Sequence, residues 1–163
     1  MSLELALATS LVNMAISKSL GGTLQLLGYE VVYTREGDID NDDLAFRPQL
    51  ANEQEADIFV SIHCNSATST DAKGVEVYHY PGSSEGLYLA NDIQETLPLI
   101  TSFTNRGVKE ADFAVLRLSD MPAVLVECGF LSSEEDREML VDRQQQTAIA
   151  LGIAAGINRY YIA

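Results

Sequence analysis

The stretch Asp57-Ile58-Phe59-Val60-Ser61-Ile62-His63-Cys64-Asn65-Ser66 limits the fold more than any other part of the chain. From Ile58 to His63 it is too apolar to form one face of an amphipathic helix. It reads as a strand buried on both faces, as in parallel sheets covered by helices. At its C-terminal end the chemistry turns abruptly to His-Cys-Asn-Ser, and in open α/β sheets that end of a strand is where ligands bind. His63 is therefore a candidate site residue. A second apolar run, Pro122 to Phe130, delivers Glu127 to a strand end, two residues before Gly129. A charge in that position cannot stay unpaired in a core without cost. Two strands of one sheet would thus present a His and a Glu at the same edge. His suits a metal ligand, and Glu suits a general base acting on metal-bound water. A structural hydrogen bond for His63 and an ordinary ion pair for Glu127 are the competing readings.

The 163 residues predict one domain, 1–163, large enough for its own core. Lys and Arg total 10 against 24 Asp and Glu, for a net charge of −14. That balance argues against nucleic acid as a partner, since phosphates need a basic surface. It argues equally against an anionic membrane surface. A cationic or neutral substrate, or good solubility alone, fits better. No apolar run approaches the roughly 18 residues of a membrane span, and no basic n-region precedes the first apolar segment, so none of it reads as a signal peptide. Cys64 and Cys128 each follow a candidate site residue directly. On strands they point to the opposite face and read as small buried hydrophobes.

Taken in order, residues 3–27 read as a helix, with Val12, Ile16, Leu20, Leu24 and Leu27 at helical spacing and Gly28 just past its end. Tyr29 to Thr34 reads as a short strand, and Arg35 to Asp43 as an acidic loop. Asp42 or Asp43 is expected to cap a second helix through Leu44, Arg47, Leu50 and Asn52, with Pro48 forcing a bend or a late start. The strand from Ile58 follows, then a strand from Val75 to Tyr80 and a helix from about Glu85 to Leu97 capped by Ser83 or Ser84. Thr101 to Asp112 reads as a polar connection, Phe113 to Leu118 as a short strand, and Ala123 to Glu127 as the last one. A short helix starting near Ser132 and a long one from Arg143 to Tyr161 close the chain. The alternation predicts an α/β domain with a mostly parallel central sheet of about five strands and helices on both faces.

These stretches together resemble the zinc-dependent N-acetylmuramoyl-L-alanine amidase family of peptidoglycan hydrolases. The resemblance lies in Gly28 to Arg35, Leu44 with Arg47, Ala51-Asn52, Ala56 to Ser66, Gly74 to Tyr78, Arg106 to Lys109, Val115 to Arg117 and Met121 to Leu131. It implies one Zn²⁺ bound by two histidines and a glutamate, with a second glutamate activating the bound water. That water attacks the amide between N-acetylmuramic acid and L-alanine. On this resemblance His63 matches a zinc ligand and Glu127 the catalytic glutamate. Peptidoglycan or muropeptides become the expected partner, and the cell envelope or extracellular space the expected location.

The chain departs from the family pattern at its beginning. The family's first histidine ends a strand in Gly-His-Gly-Gly, which would precede residue 1, so the domain reads as N-terminally incomplete. The family's glutamate ligand corresponds to Thr9. Glu4 lies five residues earlier, about 140° away around the helix, and reads as an exposed helix-start carboxylate. His79 alternates along its strand and is the remaining histidine that could line the cleft. With His63 as the matched ligand, zinc is expected to bind weakly or not at all. An exposed sheet edge, left where the first strand would lie, is expected to favour self-association. A degenerate, non-catalytic wall-binding or regulatory domain is the alternative to an enzyme. A generic α/β hydrolase is disfavoured by the lack of a Gly-x-Ser-x-Gly elbow.

Overall fold

The computed structural model describes residues 3–35 and 44–162, with side chains from Ser10 onward in the first helix. Chain order is α1 (Leu3–Leu26), α2 (Phe46–Glu53), β1 (Phe59–Asn65), β2 (Val75–His79), α3 (Ser84–Ile100), β3 (Asn105–Glu110), α4 (Ala114–Arg117), β4 (Ala123–Phe130), α5 (Glu134–Val141) and α6 (Arg143–Ile162). The described strands form one sheet in the order β1-β4-β2-β3. β1 runs parallel to β4 and β2 parallel to β3, while β2 and β4 are antiparallel.

Alternation along the strands divides the core. Val75, Val77, Val124, Val126, Cys64 and Cys128 face a large cluster built with α1, α3 and α6. Phe59, Leu125 and Ala123 face the other way, with Ala51 of α2 and Leu116 of α4. The sheet thus has helices on both faces, and its strands read apolar on both sides as the sequence implied. Gly152 and Gly156 let α6 press against the backbone of α3, where an added Cβ would stand 2.9 Å from Leu97 Cα and 2.4 Å from Ile93 Cα.

Three expectations change. Asn105–Glu110, read as a connection, is the edge strand β3. Its Asn-Arg-Gly-Val-Lys-Glu sequence has one apolar side chain, which an edge tolerates because only one flank and one face are covered. Phe113 to Leu118, read as a strand, holds the short helix α4, whose turn closes through Arg117 N–H to Phe113 O at 2.9 Å. A short apolar run does not distinguish the two by periodicity. Tyr29 to Thr34 carries strand-type residues but forms no ladder among the described residues. Instead Tyr33 lies over Gly21 of α1, and the Tyr29 hydroxyl donates to Asn158 Oδ1 of α6 at 3.1 Å. The described sheet has four strands, close to the five or so expected.

Pro48 stands in the first turn of α2, so the helix starts late rather than bending. Ala45 precedes that helix without a side-chain cap, and the expected Asp42 or Asp43 cap lies outside the described residues. Ser83 caps α3 through Gly86 N–H, and Ser133 caps α5 through Asp136 N–H.

Candidate active site

Pairing register, more than any loop, assembles the site. His63 on β1 is the register partner of Glu127 on β4, and Glu127 is in turn the partner of Glu76 on β2. Register partners point to the same face, so His63, Glu127 and Glu76 form a row across three strands, with backbones about 4.8 Å apart. Just beyond this row β4 bulges: His63 to Asn65 spans two steps while Glu127 to Phe130 spans three. Gly129 absorbs the extra residue with φ 146°, and a Cβ there would sit 2.8 Å from Phe103. Such a bulge ends regular pairing and sets the direction of the side chains before it.

Asp136 fixes the row from the end of the sheet. Its buried carboxylate accepts the N–H of Gly74, before β2, and of Phe130, at the end of β4, each at 2.8 Å. On the other side Asn52 of α2 donates to Leu118 O at 2.9 Å and accepts from Asp120 N–H at 3.0 Å. Those bonds tie the helix carrying Arg47 to the approach of β4.

The electrostatics differ along the row. Glu76 is fully buried and saturated with partners. Its Oε1 accepts from Arg106 Nε at 2.5 Å, and its Oε2 from Lys109 Nζ at 2.6 Å and Tyr78 OH at 2.5 Å. These bonds hold its carboxyl below the usual carboxylate range despite burial. Glu127 has no such help. Its Oε2 is buried with no hydrogen-bond partner among the described residues. Burial first, and the charge of Glu76 second, push its carboxyl up to about 7. Burial and the nearby Arg47 lower the pKa of His63, which favours a neutral imidazole. Arg47 is itself lowered by burial and by Arg35.

The other candidates fall elsewhere. Cys64 and Cys128 lie on the opposite face, and burial pushes the Cys64 thiol up to about 12. His79 pairs with Val124, so it faces the large core rather than the row. Its Nδ1 lies 3.0 Å from Tyr80 O and its Nε2 is 4.0 Å from Glu110. His79, which could have lined the cleft, is thus not on the face that carries His63, Glu127 and Glu76. Glu4 and the side chain of Thr9 lie outside the described side chains. Among the described residues no group of three or more His, Cys, Asp and Glu can hold a metal ion. Catalytic zinc needs three protein ligands with an open position, and His63 with Glu127 alone does not meet that requirement.

Sequence reasoning gave no role to Glu76, Tyr78, Arg106 or Lys109. One signal was present: Glu76 interrupts an apolar strand just as Glu127 does, and Tyr78 follows it on the same face.

Comparison with known proteins places the chain in a family. Residues 8–159 match the family described as N-acetylmuramoyl-L-alanine amidase. The Bacillus subtilis protein YqiI is 37% identical over 92% of this chain and 73% of its own length. The N-acetylmuramoyl-L-alanine amidase CwlM of Mycobacterium tuberculosis is 33% identical over 90% of this chain, which spans only 37% of that protein. Among solved structures, the catalytic domain of CwlV, an N-acetylmuramoyl-L-alanine amidase from Bacillus (Paenibacillus) polymyxa var. colistinus, superposes with a TM-score of 0.88. It shares 34% identity, and the match covers 94% of this chain and 85% of that domain. The α/β fold is thus that of the N-acetylmuramoyl-L-alanine amidases. This chain belongs to the N-acetylmuramoyl-L-alanine amidase family.

Proposed function

We propose that the chain hydrolyses the amide between N-acetylmuramic acid and L-alanine in peptidoglycan, with Glu127 as the general base. The observation that carries this reading is the buried, unpartnered Glu127 Oε2 in register with His63. A carboxyl pushed up to about 7 exchanges protons readily near neutral pH, as a base that must later act as an acid requires. It takes a proton from the attacking water as the oxygen bonds to the lactyl carbonyl carbon. It then returns that proton to the alanine nitrogen as the carbon–nitrogen bond breaks. His63, kept neutral, is the described side chain on this face suited to offer a nitrogen to zinc. The described residues do not complete a zinc site. With peptidoglycan as its substrate the protein would act in the cell envelope or outside the cell.

The lack of a complete ligand set among the described residues favours a second reading, a wall-binding or regulatory domain that keeps the fold without turnover. One experiment separates them. Purified peptidoglycan is incubated with the chain and zinc, and the released fragments are analysed by mass spectrometry. Peptides with a free L-alanine amine, absent with Glu127→Gln, support hydrolysis. Binding to peptidoglycan without release supports the second reading.

A further inference from the structure

We propose that Arg106 and Lys109 bind a free carboxylate on the peptide side of the substrate, and so determine which end of it lies over β3. The inference rests on the amidase reading and deepens it. The row of His63, Glu127 and Glu76 continues onto β3, where both cations close on Glu76. Two positive charges meet one carboxylate, which leaves the group with one positive charge in excess.

Glu76 cannot respond to a ligand, because it is fully buried and both its oxygens are occupied. The cations can. About a third of each side chain is exposed, 34% for Arg106 and 36% for Lys109. Each is also held by a ring: the Arg106 guanidinium lies 4.9 Å from the Phe130 centroid and Lys109 Nζ 5.8 Å from that of Tyr78. Donors held in place lose little freedom on binding, and arginine and lysine are suited to carboxylates.

The position selects the ligand. β3 lies two strand spacings from β4, or about 10 Å, a span bridged by about three residues of extended peptide. The carboxylate must therefore belong to a residue within about three of the scissile amide. The net charge of −14 does not oppose this at contact, since exposed charges are screened beyond about 8 Å at physiological salt. The overall acidity suggested a neutral or cationic substrate; the local pair reads a carboxylate.

The test is titration of the chain with N-acetylmuramoyl-trialanine as the free acid and as its C-terminal amide, followed by calorimetry or NMR. The free acid is expected to bind about fivefold tighter, as an exposed charge pair allows, with the preference shrinking at high salt. Lys109→Gln should reduce that preference and Lys109→Arg should restore it. The neutral triple variant Glu76→Gln, Arg106→Gln, Lys109→Gln removes the cations without stranding a buried charge, and it should bind acid and amide alike. Equal binding of acid and amide by the unaltered chain overturns the inference alone, as does a preference that survives in the folded triple variant. Failure of both ligands to bind contradicts the amidase reading, and this inference with it.

Discussion

Two glutamates one strand apart on the same face have opposite fates here, and the difference lies in their partners. Glu76 has two cations and a hydroxyl, whereas Glu127 has a buried oxygen with none among the described residues. The folded Glu127 carboxyl holds its proton up to about pH 7, while the unfolded one releases it near 4.5. A raised acid pKa stabilises the fold fully below the lower value, and that contribution is lost as pH rises through the upper one. The loss amounts to about 3 kcal/mol for the metal-free chain. Glu127→Gln should remove that slope, so the variant should gain on the unaltered chain between pH 5 and pH 8 in denaturant midpoints. Equal pH profiles would show that Glu127 is solvated. His63 acts in the reverse direction: a lowered pKa costs stability as pH falls below 6.5, and comparing the two proteins at each pH cancels it. For Glu76→Gln the expected cost is about 2 kcal/mol. That is less than for a fully buried broken pair, since Arg106 and Lys109 can turn to water. An unchanged unfolding midpoint would contradict the account of Glu76 as the anchor of β2 and β3.

At the scale of elements, β1 and β4 were legible because burial on both faces leaves a continuous apolar run, as in Phe59 to Ile62 and Ala123 to Val126. The polar residues that follow those runs, His63 and Glu127, stood out for the same reason. The edge strand β3 was not legible, because most of its side chains are exposed or half-buried and it carries no apolar run, and α4 is too short for its periodicity to show. The Glu76 cluster escaped notice because its partners lie 30 and 33 residues away on that unrecognised strand. Helix packing gives a sharper test. Gly156→Ala places a methyl 2.4 Å from Ile93 Cα, where backbone rather than a flexible side chain must yield; overpacking of this kind costs about 2 kcal/mol. Gly22→Ala, in α1, meets nothing within 4 Å and should stabilise by about 0.5–1 kcal/mol through helix propensity. Thermal melts of the two variants should shift in opposite directions, and a shared sign would contradict the close α3–α6 contact.

For the whole molecule, the outer edges of the sheet decide behaviour. β1 is an edge strand of the described sheet, and the strand-like Tyr29 to Thr34 does not pair with it. Unpaired edges recruit strands from other chains, while a net charge of −14 opposes close approach at low salt. Self-association that grows with concentration and with salt is the expected result in light scattering. A monomer unchanged over a hundredfold dilution would count against it.

The most direct test of the central claim, that the His63–Glu127 edge is an amidase centre, uses the chain extended by an N-terminal strand ending in Gly-His-Gly-Gly and carrying Thr9→Glu. Zinc content and muropeptide release are measured together, with and without Glu127→Gln. The expected result is about one zinc per chain in both proteins, with release only where Glu127 is intact. Release undiminished in Glu127→Gln, or none from the zinc-loaded extended chain, would contradict the account.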